Sequence, residues 1–85
     1  MSRGLKEDEV YVVSAEDSLG TRTIHICSSW GIAMNMVDDL KSDYVDEGGK
    51  PLEWEEHVIS RFDKHTKAKW SLGYDLIAVT VEIIL

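Results

Sequence analysis

The sequence has one cysteine, one proline and no apolar run that approaches the ~18 residues of a membrane span. A single cysteine cannot form an internal disulfide, which fits a reducing compartment, so we expect a cytoplasmic protein without membrane contact. The N-terminal residues are polar and acidic and lack the apolar segment of a secretory signal. A disulfide scaffold, a membrane protein and a secreted precursor are therefore not expected.

The chain has 85 residues, of which 44% are hydrophobic and 29% are charged. This is an ordinary globular composition, and a chain of this length has room for one domain with one modest core. We expect residues 1–8 to be a flexible leader and residues 9–85 to form that domain.

The charge is strongly acidic, with Asp+Glu 16 against Lys+Arg 9 and a net charge of −7. The acids are concentrated between residues 37 and 57, whereas residues 58–72 are basic through Arg61, Lys64, Lys67 and Lys69. A negative chain repels phosphate groups, so direct binding to nucleic acid or to an anionic membrane is not expected. The charge favours a basic partner, although acidic charge also serves solubility alone.

The first half of the sequence predicts a hairpin followed by a helix. Residues 9–15 and 22–28 alternate as strands and are separated by a glycine-containing turn. Ser28 or Ser29 is a suitable N-cap for a helix predicted over 29–46. This helix has one apolar stripe, formed by Ala33, Met36, Val37, Leu40 and Tyr44.

The second half predicts three strands. Residues 52–62 fit either a strand or a helix, and we prefer a strand because residues 66–72 alternate cleanly directly afterwards. Residues 76–85 form the clearest strand, which we expect at the centre of the sheet. The prediction is an α+β fold with an antiparallel sheet of about five strands, in the order β-β-α-β-β-β, and one helix packed on one face.

His25 and Cys27 lie two apart on a predicted strand and therefore project from the same face. Together they suggest a zinc site or a nucleophile with its base. Further ligands at a recognisable spacing and an oxyanion loop are both missing from the sequence. We therefore favour a structural cysteine and expect no catalytic residue, no metal and no cofactor.

The strongest candidate for function combines acids with aromatic residues. Tyrosine and tryptophan are common anchors of protein interfaces, and carboxylates around them suit a surface rich in Lys and Arg. The alternative is that Trp54 packs in the core and the acids only coat a loop. The predicted partner-binding residues are Asp38, Asp39, Asp43, Tyr44, Asp46, Glu47, Glu53, Trp54, Glu55 and Glu56.

The chain resembles small acidic accessory proteins of bacteriophages, including anti-CRISPR and other host-takeover inhibitors. The resemblance is carried by Val10-Tyr11-Val12-Val13, by Ile24-His25-Ile26-Cys27-Ser28-Ser29, by the helical stripe, by the acidic balance and by the strand over 79–85. It implies a non-enzymatic inhibitor or regulator that acts as a nucleic-acid mimic, binding a basic host protein in the host cytoplasm at its nucleic-acid site. The alternative is a homo-oligomeric structural or assembly protein, a homodimer for example, that pairs through its sheet edge.

Overall fold

The computed structural model describes residues 8–83, which form one antiparallel sheet and one helix. The elements are β1 (Glu9–Glu16), β2 (Arg22–Cys27), α1 (Trp30–Ser42), β3 (Glu55–Glu56), β4 (Thr66–Leu72) and β5 (Asp75–Ile83). The sheet order is β2-β1-β5-β4-β3, and every pairing is antiparallel. The predicted α+β class and the β-β-α-β-β-β order are confirmed.

The core lies between α1 and one face of the sheet. Strand β5 occupies the centre, as predicted, and its Ile77 and Val79 are opposite Ala15 and Val13 of β1. The alternation of a strand places these residues on the same face, because side chains two apart point the same way. The buried set is Tyr11, Val13, Cys27, Ala33, Val37, Ile77 and Val79. The other face of the sheet, which we call the open face, has no helix against it within residues 8–83.

Helix α1 begins where the serines predicted it. Ser29 is the N-cap, and its hydroxyl accepts a hydrogen bond from the backbone N–H of Ile32 at 3.2 Å. Ala33 and Val37 are fully buried, while Met36 and Leu40 pack at the border of the core. The predicted apolar stripe is therefore the face that α1 lays on the sheet.

The helix ends at Ser42, four residues before its predicted end at residue 46. The Gly48–Gly49 pair belongs to a hairpin-like loop over residues 44–52 and does not cap the helix. In this loop the N–H of Asp46 donates to the carbonyl of Lys50 at 2.8 Å, and the N–H of Leu52 donates to the carbonyl of Tyr44 at 3.0 Å. The Asp46 carboxylate accepts from the N–H groups of Gly48 and Lys50, which fixes the turn.

The strand predicted over residues 52–62 is wrong in extent. Only Glu55–Glu56 forms a strand, paired with Trp70 and Ser71 of β4. The ladder stops after the N–H of His57 donates to the carbonyl of Lys69, and the chain then leaves the sheet. Val58 is 98% exposed whereas Trp54 packs against the core, so the apolar residues of this stretch do not form one buried face.

Two predictions concern the chain ends. The predicted leader lies outside the described residues except for Asp8, which is exposed in a turn directly before β1. The final two residues of the strand predicted over 76–85 also lie outside them. Within the described residues the last strand pairs with β1 on one side and β4 on the other, so it is not a free edge of the sheet.

Candidate protein-binding surface

The topology gathers carboxylates from separate segments at one end of the sheet. Strand β1 ends there with Glu16 and Asp17, β5 begins there with Asp75, and α1 ends there at its C-cap Asp43. The register supports this placement, because Glu16 is opposite Leu76 and the β4–β5 turn lies directly beyond that pair. We call this region the acidic end; it consists of Glu16, Asp17, Asp43 and Asp75. Glu55 borders it at the same level of the sheet, and the segment that carries Asp46, Glu47 and Glu53 adjoins it through Tyr44 and Trp54.

Tyr44 lies in the middle of the acidic end. Burial raises the pKa of its hydroxyl, and Asp75 raises that pKa further through its charge and a hydrogen bond. The charges of Asp17 and Asp43 act in the same direction. Their effect on one phenol shows that three segments distant in sequence place their carboxylates around the same point.

A shallow groove of about 240 Å³ opens beside Tyr44. Its floor includes Ala15, Leu40 and Ile77, and its rim carries acids that belong to the acidic end. The C-terminus of α1 also points toward this region, and the negative end of the helix dipole adds to the negative potential. The groove therefore suits a positively charged group attached to an apolar stem.

Asp75 contains a buried oxygen, Oδ1, without a hydrogen-bond partner within residues 8–83. A buried acceptor left unsatisfied costs about 1–3 kcal/mol, and more if it is charged. The indole Nε1 of Trp54 is likewise buried and unpaired among the described residues. Both groups adjoin Tyr44. Asp75 forms a hydrogen bond with the Tyr44 hydroxyl, and the Trp54 ring contacts the Tyr44 ring edge-on with centroids 4.9 Å apart.

Trp54 supports the acidic end from beneath. It is partly buried and packs against the core, where it holds Tyr44 and the 44–52 loop in place. Exposed apolar groups at this end include Tyr74, 87% exposed in the β4–β5 turn, and Leu19, 89% exposed in the β1–β2 turn. Both place apolar surface next to the carboxylates of the acidic end.

The remaining predicted site residues are distributed over two regions. Glu53 and Glu55 border the acidic end, and the register places Glu55 on the open face and Glu56 on the helix side. Asp38 and Asp39 are exposed on the outer surface of α1, away from Tyr44. The structure thus brings Asp43, Tyr44, Asp46, Glu47, Glu53, Trp54 and Glu55 to one end and leaves Asp38, Asp39 and Glu56 beside it.

The opposite end of the sheet carries charges of both signs. Arg61 and Lys64 lie in the 57–65 loop and Lys67 lies at the start of β4, with Phe62 exposed among them. Acids lie at the same end, at the start of β1 and the end of β5: Asp8, Glu9 and Glu82. Strand β4 runs from this end to the acidic end, and its seven residues span about 20 Å, so these cations are separated from the acidic end but lie beside other acids.

Cys27 is buried at the C-terminal end of β2, and burial raises the pKa of its thiol. A raised pKa leaves less thiolate at neutral pH and lowers the reactivity of the thiol. No group of three or more histidine, cysteine or acidic side chains among residues 8–83 is placed to hold a metal ion. The geometry around Cys27 is that of a core residue.

Sequence reasoning missed Glu16, Asp17 and Asp75 as members of this surface. Each lies beside a turn, and only the antiparallel pairing of the strands brings the two turns together. The signal available in the sequence was an acid next to turn residues at the end of two adjacent strands. Because the last strand was predicted at the centre of the sheet, its first residue could have been expected beside the end of another strand.

Comparisons of the chain with protein-family models, with curated proteins and with solved structures found no match. Within residues 8–83, the single helix is too short and too polar to cross a bilayer.

Proposed function

We propose that this protein is a non-enzymatic binding module whose acidic end receives a basic surface of another protein. The observation that carries the proposal is the convergence of carboxylates from three segments around Tyr44, beside the exposed Tyr74 and Leu19. Carboxylates flanking exposed aromatic and aliphatic groups are suited to Lys and Arg side chains, which carry both charge and an apolar stem.

The partner class that fits this charge is a nucleic-acid-handling protein, bound at the basic site that otherwise holds phosphates. Carboxylates spaced along the rim of the acidic end take the place of phosphate groups, and the net charge of −7 attracts such a site over long range. Blocking that site makes the protein an inhibitor or regulator, which is the role implied by the resemblance to phage accessory proteins.

The test compares two charge reversals of equal size. The first variant carries Glu53→Lys and Glu55→Lys at the border of the acidic end, and the matched control carries Asp38→Lys and Asp39→Lys on the outer surface of α1. Each immobilised protein is incubated with bacterial lysate at low and at high salt, and the retained proteins are identified by mass spectrometry.

We expect the wild-type protein and the control to retain the same basic nucleic-acid-handling protein at low salt, and the first variant to lose it. An excess of duplex DNA should displace the retained protein, because both compete for one site. Equal retention by all three proteins would contradict the role of the acidic end. Retention that DNA does not affect would contradict the partner class.

A further inference from the structure

The two edges of the sheet differ in how they are protected against further pairing. Strand β3 forms one edge with only two residues, both glutamates, and short charged edges resist the addition of another strand. Strand β2 forms the other edge with six residues, and its register with β1 runs without interruption from Cys27 to Arg22. Proline and a bulge, which commonly block an edge, are absent from β2, and its one charged residue, Arg22, is at its first position.

The hydrogen-bond pattern shows which groups of β2 face outward. The N–H of Asp17 donates to the carbonyl of Thr21, so Asp17 and Thr21 are a hydrogen-bonded pair. Hydrogen-bonded and non-hydrogen-bonded pairs alternate along an antiparallel ladder, so every second residue of β2 bonds to β1. Thr23, His25 and Cys27 therefore direct their backbone groups toward β1. The backbone groups of Arg22, Ile24 and Ile26 point away from the sheet, where no described strand pairs with them.

The side chains along this edge are apolar and exposed. Ile24 and Ile26 lie on the open face and are 57% and 73% exposed. Ile32 is 49% exposed on the flank of α1. Lys41 contacts Trp70 of β4, so that side of α1 faces β4. Ile32 precedes Lys41 by nine residues, which places it on the opposite side of the helix. Ile32 therefore faces the β2 side of the sheet. One edge thus combines open backbone groups with apolar side chains above and below.

We propose that β2 pairs antiparallel with β2 of a second copy of this chain, which joins the two sheets across a two-fold axis at His25. The charge distribution favours a second copy in this orientation. Strand β2 begins near the acidic end, so an antiparallel neighbour places the two acidic ends at opposite extremes of the dimer. Each Arg22 lies opposite the other copy's Ser28, at the end of the sheet whose open face carries Glu82 two strands further in.

The register follows from the side chains. An axis at His25 sets Ile24 of one copy opposite Ile26 of the other, so the four isoleucines form one cluster flanked by the Val12 side chains. Two other registers are less favourable. An axis at Ile24 would place Arg22 opposite Ile26, and an axis at Arg22 would place two like charges opposite each other. The pairing uses neither the acidic end nor its partner, so it stands independently of the proposed function.

The first test compares Ile26→Lys with Val58→Lys by sedimentation equilibrium over a range of protein concentrations. Both replaced side chains are exposed, and both changes make the net charge equally less negative, which by itself would aid association. We expect a concentration-dependent dimer for the wild-type protein and for Val58→Lys. In Ile26→Lys the dissociation constant should rise about tenfold or more, because a lysine is placed among apolar groups.

A wild-type protein that stays monomeric up to about millimolar concentration, the weak limit of specific association, would overturn the proposal. Equal dissociation constants for Ile26→Lys and Val58→Lys would overturn it as well. Circular dichroism of both variants checks that the fold is retained.

The second test locates the axis by oxidation of a single cysteine. In a Cys27→Ala background, His25→Cys is expected to form an intermolecular disulfide readily. Residues at a non-hydrogen-bonded antiparallel pair have Cα atoms about 4.5 Å apart, within the 4.4–6.8 Å that a disulfide spans. The matched control Thr23→Cys lies two residues from the axis and should cross-link slowly. Equal cross-linking of the two variants would overturn the register at His25.

Discussion

At the residue scale, Tyr44 reports the electrostatics of the acidic end. Its hydroxyl lies where carboxylates from the β1–β2 turn, the α1 C-cap and the start of β5 meet, and both burial and those charges disfavour the phenolate. The folded-state pKa of Tyr44 is therefore raised above its ordinary value of 10.0. The stability that this shift contributes is present below that value and is lost as the pH rises through the higher folded-state pKa.

We predict that Asp75→Asn lowers the pKa of Tyr44, because it removes the nearest charge that opposes the phenolate. Ultraviolet titration of the tyrosines measures this, with Tyr44→Phe identifying the Tyr44 transition among the three tyrosines of the chain. Asp38→Asn is the control, since Asp38 does not contribute to the shift. An identical Tyr44 titration in Asp75→Asn and Asp38→Asn would show that the acids do not converge on this hydroxyl.

At the element scale, the β4–β5 hairpin presents Tyr74 and joins β4 to the central strand β5. Leu72 is opposite Asp75, so the connection is the two-residue turn Gly73-Tyr74. Gly73 has a φ of +63° while Tyr74 does not have a positive φ, which is the pattern of a type II′ turn. A side chain at Gly73 would be strained in this conformation, even though open space surrounds the position.

We predict opposite effects for two glycine-to-alanine changes. Gly73→Ala should lower the free energy of unfolding by about 1–2 kcal/mol, because alanine disfavours left-handed backbone. Gly31→Ala should raise it by roughly 0.5–1 kcal/mol, since Gly31 is helical and an added Cβ would lie 4.0 Å from the Ser29 hydroxyl. Urea denaturation measures both. Equal effects at the two positions would contradict the assigned turn.

The fold was predictable from sequence wherever one periodicity dominated. The alternation over 9–15, 22–28 and 66–72 and the stripe of α1 each served a single buried face, so pattern and structure agree. In residues 52–62 Trp54 packs against the core while Val58 and Phe62 are exposed, so their spacing served no single buried face and only Glu55–Glu56 pairs. The end of α1 was misplaced because Asp46 bonds its own turn, a local interaction that competes with the helix.

The candidate site was predictable only in part, because a local sequence pattern does not determine which residues the fold brings together. A run of acids in sequence indicates where charge is dense, but its exposure and direction depend on the fold. Trp54 illustrates this, because its spacing fitted either a core position or a surface anchor, and it packs against the core. The acids of the β1–β2 and β4–β5 turns join the surface only through strand pairing, which no local pattern contains.

At the scale of the whole molecule, the net negative charge sets how stability depends on salt. The acids around Tyr44 lie close together, and the chain as a whole has Asp+Glu 16 against Lys+Arg 9. Repulsion among the carboxylates of the folded protein therefore outweighs their attraction to the fewer cations. Added salt screens both, and its net effect on the folded state is therefore stabilising.

We predict that the midpoint of thermal unfolding rises as sodium chloride increases from about 0.01 M to about 0.15 M, over which the screening length falls from about 30 Å to about 8 Å. A gain of about 1 kcal/mol corresponds to roughly 4–8 °C for a domain of this size. The double change Asp43→Asn with Asp75→Asn should reduce this rise, because it removes two of the charges that act on Tyr44. Asp38→Asn with Glu56→Gln removes equal charge outside the acidic end and should preserve more of the rise. A midpoint that falls with added salt, or equal responses of the two double variants, would contradict a repulsive acidic end.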